Sequence, residues 1–324
     1  MGRMIRKAYF VGTALLALAL TGACIARTQT PPPATSPQLV ILDTDIGDDI
    51  DDAFALALVL RSHELHLLGI TTAFGNTELR ARLVDRYLAA VGRADIPVEA
   101  GVATDTTNPF TQAVYARGGP DRRHGNGVDF LLAQIRAHPG QITLIGIGPL
   151  FNVQAAIERD PATFRKLKRV VIMGGSVYRG YDDGKTGAHR PPDPEWNIKC
   201  DPAGLQALLG SGVPVFMMPL DSTQIHLRLP QLTAIVSHGS PLTDQLSLLY
   251  HEWAGSRPWP SPTLFDPVAV TYTFRPDLCP ATPMRIEVDD KGDTKPVAGP
   301  PNARVCLKSD EKGFLDLLLA RILK

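Results

Sequence analysis

The sequence predicts an α/β fold: a single domain with a mainly parallel central sheet flanked by helices. Three observations lead there. Strand-like and helix-like apolar patterns alternate along most of the chain, the order expected of a sheet built from crossover units. The first strand-like run, Gln38-Leu39-Val40-Ile41-Leu42, is continuously apolar after Gln38, as in a strand covered on both faces. It runs into six aspartates within ten residues: Asp43, Asp45, Asp48, Asp49, Asp51 and Asp52. Open α/β sheets bind ligands where a strand hands over to a helix.

The chain has 324 residues. Residues 1–23 have the order of a secretory signal: positive Arg3, Arg6 and Lys7, an apolar stretch Ala8–Leu20, then Thr21-Gly22-Ala23. That stretch is too short and wrongly flanked for a stable membrane span. Leu20-Thr21-Gly22-Ala23-Cys24 is similar to a lipobox, with Cys24 the lipidated residue. Simple cleavage near Ala23 or Ala26 is the alternative. Either reading exports the protein, to a bacterial periplasm or to its membrane as a lipoprotein. Residues 24–37 hold four prolines and read as a tether. Residues 38–324 remain, roughly 285 in number, enough for one large domain.

Within that domain the elements follow in order. Strand Leu39–Leu42 leads to helix Asp51–Arg61, which is rich in strong helix formers. Strand Leu65–Thr71 precedes helix Thr77–Val91, with Thr77 as its N-cap. Strand Val98–Gly101 precedes helix Val128–Ala137, and strand Ile142–Ile147 precedes helix Asn152–Glu158. Strand Arg169–Met173 is followed by a Gly- and Pro-rich loop, Arg179–Pro194, long enough to serve as a lid. Asp201 caps helix Pro202–Leu209, with Pro202 at its first position. Strand Val213–Met217 comes next, and Ile225–Trp259 is mainly helical. The tail carries short strands Arg285–Val288 and Arg304–Leu307, then helix Gly313–Leu323. Cys279 and Cys306 could pair in an oxidising compartment, leaving Cys200 free. No Cys/His spacing suggests zinc.

The formal net charge is zero, and slightly acidic once Arg3, Arg6 and Lys7 are removed. No basic stripe with interleaved aromatics is present, which argues against nucleic acid as a partner. The acidic run is the chemical signal. Carboxylates this crowded repel one another and rise in pKa, and a cation offsets both effects. The donors are all oxygens, so the cation is hard, Ca²⁺ or Mg²⁺ rather than Zn²⁺. Helix capping accounts for one pair of these acids and not for six. An EF-hand register from Asp43 fails, because Asp48 replaces its glycine and Phe54 its final glutamate.

These residues carry a resemblance. Asp43-Thr44-Asp45-Ile46-Gly47…Asp51-Asp52-Ala53 is similar to the opening signature of the inosine-uridine preferring nucleoside hydrolases. Thr71-Thr72-Ala73-Phe74-Gly75-Asn76, Ile147-Gly148-Pro149-Leu150-Phe151-Asn152, Met173-Gly174-Gly175 with Glu195-Trp196-Asn197, and Phe265-Asp266-Pro267 resemble the later motifs, in order. The resemblance implies a nucleoside hydrolase-like fold with a Rossmann-like core. It implies Ca²⁺-dependent cleavage of the N-glycosidic bond of ribonucleosides to base and ribose, in purine or pyrimidine salvage. Asp45 would be general base and metal ligand. Asp52, Asp266 and the carbonyl of Phe151 would be further ligands. Asp51, Asn76, Glu195 and Asn197 would bind ribose, and Asp43 would support the site from behind. A homodimer or homotetramer is implied as well.

Three departures bear on this. Two extra residues stand between Gly47 and Asp51, so Asp48 and Asp49 are further candidate ligands. Phe265 stands where many members have a histidine that protonates the leaving base. His189 stands where an asparagine is usual. His124 or His189 would then protonate the base, or stacking on Trp196 or Tyr178 would activate it. Two rival readings are an exported nucleoside- or ribose-binding protein with a degenerate site, and a phosphatase built on Asp43-x-Asp45. The phosphatase reading fits the Asp51-Asp52 pair poorly.

Overall fold

In the computed structural model, which describes residues 1–2, 36–183, 188, 190–255, 257 and 260–324, the strand that opens the domain lies in the interior of the sheet. The signal, the lipobox-like Cys24, the tether up to Thr35, His189 and Trp259 lie outside the described residues. From Ser36 onward the chain forms one unit.

Among the described residues nine strands make the sheet: β1 Gln38–Thr44, β2 Leu65–Thr72, β3 Val98–Ala100, β4 Thr143–Gly146, β5 Arg169–Met173, β6 Val215–Met218, β7 Ala281–Val288, β8 Thr294–Val297 and β9 Ala303–Cys306. Their spatial order is β3-β2-β1-β4-β5-β6-β9-β7-β8. All pairs from β3 through β9 are parallel; β7 runs antiparallel to both β9 and β8. The order reverses between β1 and β4, and a crevice opens at the carboxyl ends of strands at such a reversal.

Two apolar cores cover the two faces of the sheet. One centres on helix Asp51–Arg61 and helix Phe265–Phe274, which pack along each other. Both are buried over nearly their whole length, so they read as apolar runs without an amphipathic stripe. The other core lies under helices Gly127–Ala137, Phe151–Arg159 and Pro202–Gly210.

A disulfide joins Cys279 to Cys306, with Cα atoms 5.6 Å apart. It ties the segment after helix Phe265–Phe274 to β9. Cys200 is the free cysteine among the described residues. One local expectation is corrected: the N-cap of helix Thr77–Ala90 is Asn76, not Thr77. Asn197 lies in a short helix, Trp196–Cys200, with Glu195 as its N-cap. The segment Arg179–Pro194 is irregular, and its Gly180 N–H donates to the Arg190 carbonyl at 3.0 Å. Gly184 to Gly187, at its middle, lie outside the described residues.

Candidate active site

The acidic run lies at the carboxyl end of β1 and turns into helix Asp51–Arg61. Asp43, still on the strand, is fully buried. Its Oδ1 accepts from Thr71 Oγ1 on β2 at 2.5 Å and from Asn152 Nδ2 at 2.6 Å. Burial pushes its carboxyl up to about 6, against the pull of those two hydrogen bonds. Asp43 therefore braces the loop from below.

Asp51 and Asp52 occupy the first helical turn, where the partial positive charge of the helix start favours them. The N-cap is Ile50 and no side chain caps the helix, so capping does not explain these acids. Helix Phe265–Phe274 brings Asp266 to them from far along the chain. The Asp266 N–H donates to Asp51 Oδ2 at 3.3 Å. Carboxylate oxygens of Asp51, Asp52 and Asp266 all lie within 4.8 Å of one another, and all three residues are buried. Burial first, then mutual repulsion, raises all three carboxyls well above the usual range. Thr44 Oγ1 donates to Asp52 Oδ1 at 2.5 Å and holds it in place.

Asp45 adjoins this cluster without belonging to its closest set. It is buried, and burial pushes its carboxyl up to about 7 while Arg80 pulls it down and Asp48 and Glu195 push it up. A side chain at position 148 would not fit: a Cβ there would lie 2.7 Å from Asp45 Oδ1. Gly148 lets the segment after β4 close against the acid.

Arg80 is a buried charge beside the site that sequence reasoning missed. It is 1% exposed. Its guanidinium donates to the carbonyls of Asp45, Ile46 and Phe74 and to Asp48 Oδ2, the last at 2.8 Å. It therefore pins the backbone of the acidic loop and pairs with one of its carboxylates. Phe74 adopts φ +66°, a conformation rare outside glycine, at the point where its carbonyl meets Arg80. The signal was in the sequence: Arg80, Leu83, Val84 and Tyr87 fall on one buried helix face. A charge on such a face must have partners.

A cavity of about 400 Å³ opens above these acids, in the range of small-molecule sites. Asp45, Asp48, Asp49, Asp51, Asp52 and Asp266 line one side. Glu195, Trp196 and Asn197 line another, with Ile147 and Met173 between. Glu195 accepts from the backbone N–H groups of Asn197, Ile198 and Gly175 at 2.8, 3.2 and 3.0 Å. Burial pushes its carboxyl up to about 7 against those bonds. Asn197 Nδ2 donates to the carbonyls of Ile147 and Met173, which leaves its own carbonyl oxygen as an acceptor. Tyr181, Trp253 and Phe265 add aromatic surface, and Asn108, Pro109 and Thr111 complete the wall.

The structure thus gathers Asp45, Asp51, Asp52, Asp266, Glu195, Trp196 and Asn197. It does not bring Asn76, His124 or Phe151 to the cavity wall. Asn76 is exposed, and its Oδ1 accepts from the Leu79 N–H at 3.0 Å as a helix cap. The His124 ring is buried between Glu78 and Asp85, 2.7 and 2.9 Å from their carboxylates, which hold it against the outside of helix Thr77–Ala90. Phe151 opens helix Phe151–Arg159 with its ring stacked on Phe74, centroids 6.3 Å apart. Tyr178 is 57% exposed and lies off the cavity wall. Asp48 and Asp49, left open by sequence, are both on the wall: Asp48 paired with Arg80, Asp49 at the mouth.

Known proteins share this arrangement of chain. A pyrimidine-specific ribonucleoside hydrolase, RihA, of Salmonella enteritidis PT4 is 29% identical over 313 residues, covering 87% of this chain and 97% of that one. An uncharacterized protein of Schizosaccharomyces pombe is 30% identical over 274 residues, covering 78% of this chain and 86% of that one. Among solved structures, the plant nucleoside hydrolase PpNRh1 gives a TM-score of 0.78 at 25% identity, over 89% of this chain and 99% of that one. A purine-preferring ribonucleoside hydrolase from Gardnerella vaginalis shares the fold, with a TM-score of 0.74 at 24% identity, over 88% and 98% of the two chains. Residues 40–316 match the inosine-uridine preferring nucleoside hydrolases, a span that takes in both the acidic loop and Asp266. The chain is therefore an enzyme of the nucleoside hydrolase kind and belongs to the inosine-uridine preferring nucleoside hydrolase family.

Proposed function

We propose that the chain hydrolyses the N-glycosidic bond of ribonucleosides to free base and ribose, with Ca²⁺ as its cofactor and Asp45 as the base that deprotonates the attacking water. The observation that carries this reading is the buried Asp51–Asp52–Asp266 cluster beside Asp45 at the wall of a nucleoside-sized cavity. The donor set fits a hard divalent cation. Three acceptor-only groups converge, all are buried, and repulsion from neighbouring carboxylates adds to burial at each of them, with Arg80 offsetting it only in part at Asp52. Asp52 and Asp266 would hold the cation. Asp51, in the same cluster and on the wall, would be shared with a ribose hydroxyl. When bound, the cation supplies Lewis acidity that makes a nearby water easier to deprotonate.

The residues of the chain do the rest. Asp45, a carboxylate on the cavity wall beside the cluster, takes the proton of the attacking water. Glu195 and the Asn197 carbonyl oxygen accept from ribose hydroxyls and orient the sugar. Trp196 and Phe265 present aromatic faces to the base and keep water from it. As bond breaking proceeds, the sugar gains oxocarbenium character. The surrounding carboxylates favour that positive charge.

The Cys279–Cys306 disulfide supports an exported protein, since such bonds persist in oxidising compartments. Relatives carry names for both pyrimidine and purine substrates. Ribose release from inosine, adenosine, guanosine, uridine and cytidine, with and without EDTA, tests the proposal. Release that EDTA abolishes and Ca²⁺ restores supports it. No release from any of the five by folded, Ca²⁺-supplied protein overturns it.

A further inference from the structure

We infer that Tyr181 is the leaving-group donor, its hydroxyl hydrogen-bonding to the departing base as the glycosidic bond breaks; this rests on the ribonucleoside reading above. The departing base takes the C1′–N electron pair and gains negative charge. A donor placed at that charge lowers the barrier. Phe265, next to Asp266, has no proton to offer.

The polar side chains on the wall are mostly committed elsewhere. Asn108 Nδ2 donates to Asp48 Oδ2, and Thr111 Oγ1 donates to the Asp48 carbonyl. Asn197 donates to two main-chain carbonyls. The Trp196 ring is at the rim, 38% exposed. Tyr181 differs from all of these. Its hydroxyl oxygen accepts from the Trp196 backbone N–H at 3.0 Å, which fixes the oxygen and leaves the hydroxyl proton undonated among the described residues.

The ring is held as well. It packs edge-on against Phe265, centroids 6.1 Å apart, so it cannot swing freely out of the aromatic wall. Burial and nearby carboxylates raise the phenol above its usual range, so the proton is present at neutral pH. Such a phenol is a hydrogen-bond donor rather than a full acid. The balance of the step is then simple. Water bonds to C1′ and loses a proton to Asp45. The C1′–N pair stays on the base, stabilised by the Tyr181 O–H, and solvent at the cavity mouth supplies the final proton to the base.

The test compares Tyr181→Phe with the unaltered protein on two kinds of ribosyl substrate. Inosine and uridine have leaving groups that need help. p-Nitrophenyl β-D-ribofuranoside releases a stable phenolate that needs none. We expect kcat on the nucleosides to fall about 10- to 100-fold, less than loss of a full oxyanion-hole donor, and kcat on the nitrophenyl riboside to stay within about twofold. An equal fall on both substrates, or no fall on nucleosides, overturns the assignment. Tyr181→Phe keeps the ring against Phe265. Should it fail to fold, Tyr181→His keeps a ring with a donor, and it must favour nucleosides over the nitrophenyl riboside more than Tyr181→Leu does, or the assignment falls. If the unaltered protein cleaves the nitrophenyl riboside but no nucleoside, the ribonucleoside reading fails first, independently of Tyr181.

Discussion

At the scale of single residues, the acids divide by what each one touches. Asp45 has no partner that replaces its proton-accepting role, so Asp45→Asn should fold normally and lose about 10²- to 10⁴-fold in kcat. Steady-state rates beside a thermal melt check this; a near-normal rate would remove Asp45 as the base. Asn76 makes the opposite case. Its side chain caps a helix, so Asn76→Ala should lower stability by about 1 kcal/mol and leave KM for nucleosides unchanged, while Asn76→Asp should retain the cap. A large rise in KM would return Asn76 to the sugar. The acids stood out in the sequence because six within ten residues have few innocent explanations. Sequence does not separate the two roles of Asn76, because an Asn before a helix looks the same whether it caps or binds; in the structure it caps. It missed Tyr181 because one tyrosine in a Gly- and Pro-rich loop has no local pattern.

At the scale of elements, local periodicity located most strands and helices that carry the site. Exceptions arise at helices as short as Trp196–Cys200, which Glu195 caps. They arise too where a buried helix such as Phe265–Phe274 shows no amphipathic rhythm. Arg80 illustrates how one element governs another. Helix Thr77–Ala90 holds the acidic loop through that side chain, and Arg80→Met leaves the Asp48 carboxylate, only 11% exposed, without its cation. Breaking one partner of a buried pair costs about 3–5 kcal/mol; chemical denaturation should show a loss of that size. The disulfide closes a 27-residue separation, and Cys306→Ala should remove about 3 kcal/mol, read the same way in non-reducing buffer.

For the whole molecule, the strand order was not legible in the sequence. Nothing local says that β9 inserts between β6 and β7, because that pairing joins segments distant in the chain. The electrostatics of the assembled site do make a global prediction. Asp43, Asp45 and Glu195 are raised to about 6 or 7, and the cluster acids are raised further. Between about pH 4, where such groups ionise in an unfolded chain, and pH 7, the native state binds more protons than the unfolded one. The stability these acids contribute is therefore present at low pH and lost as pH rises through their folded values. In EDTA the melting temperature should fall from pH 5 to pH 8. Ca²⁺ should raise it more at pH 8 than at pH 5, and an equal rise at both would count against a carboxylate cation site.

The Asp51–Asp266 hydrogen bond spans 215 residues of chain, and the cation cluster closes only across that span. A nascent polypeptide still short of Asp266 lacks one of the three clustered carboxylates. Activity is thus a late event in the life of each molecule, switched on by completion of synthesis and folding.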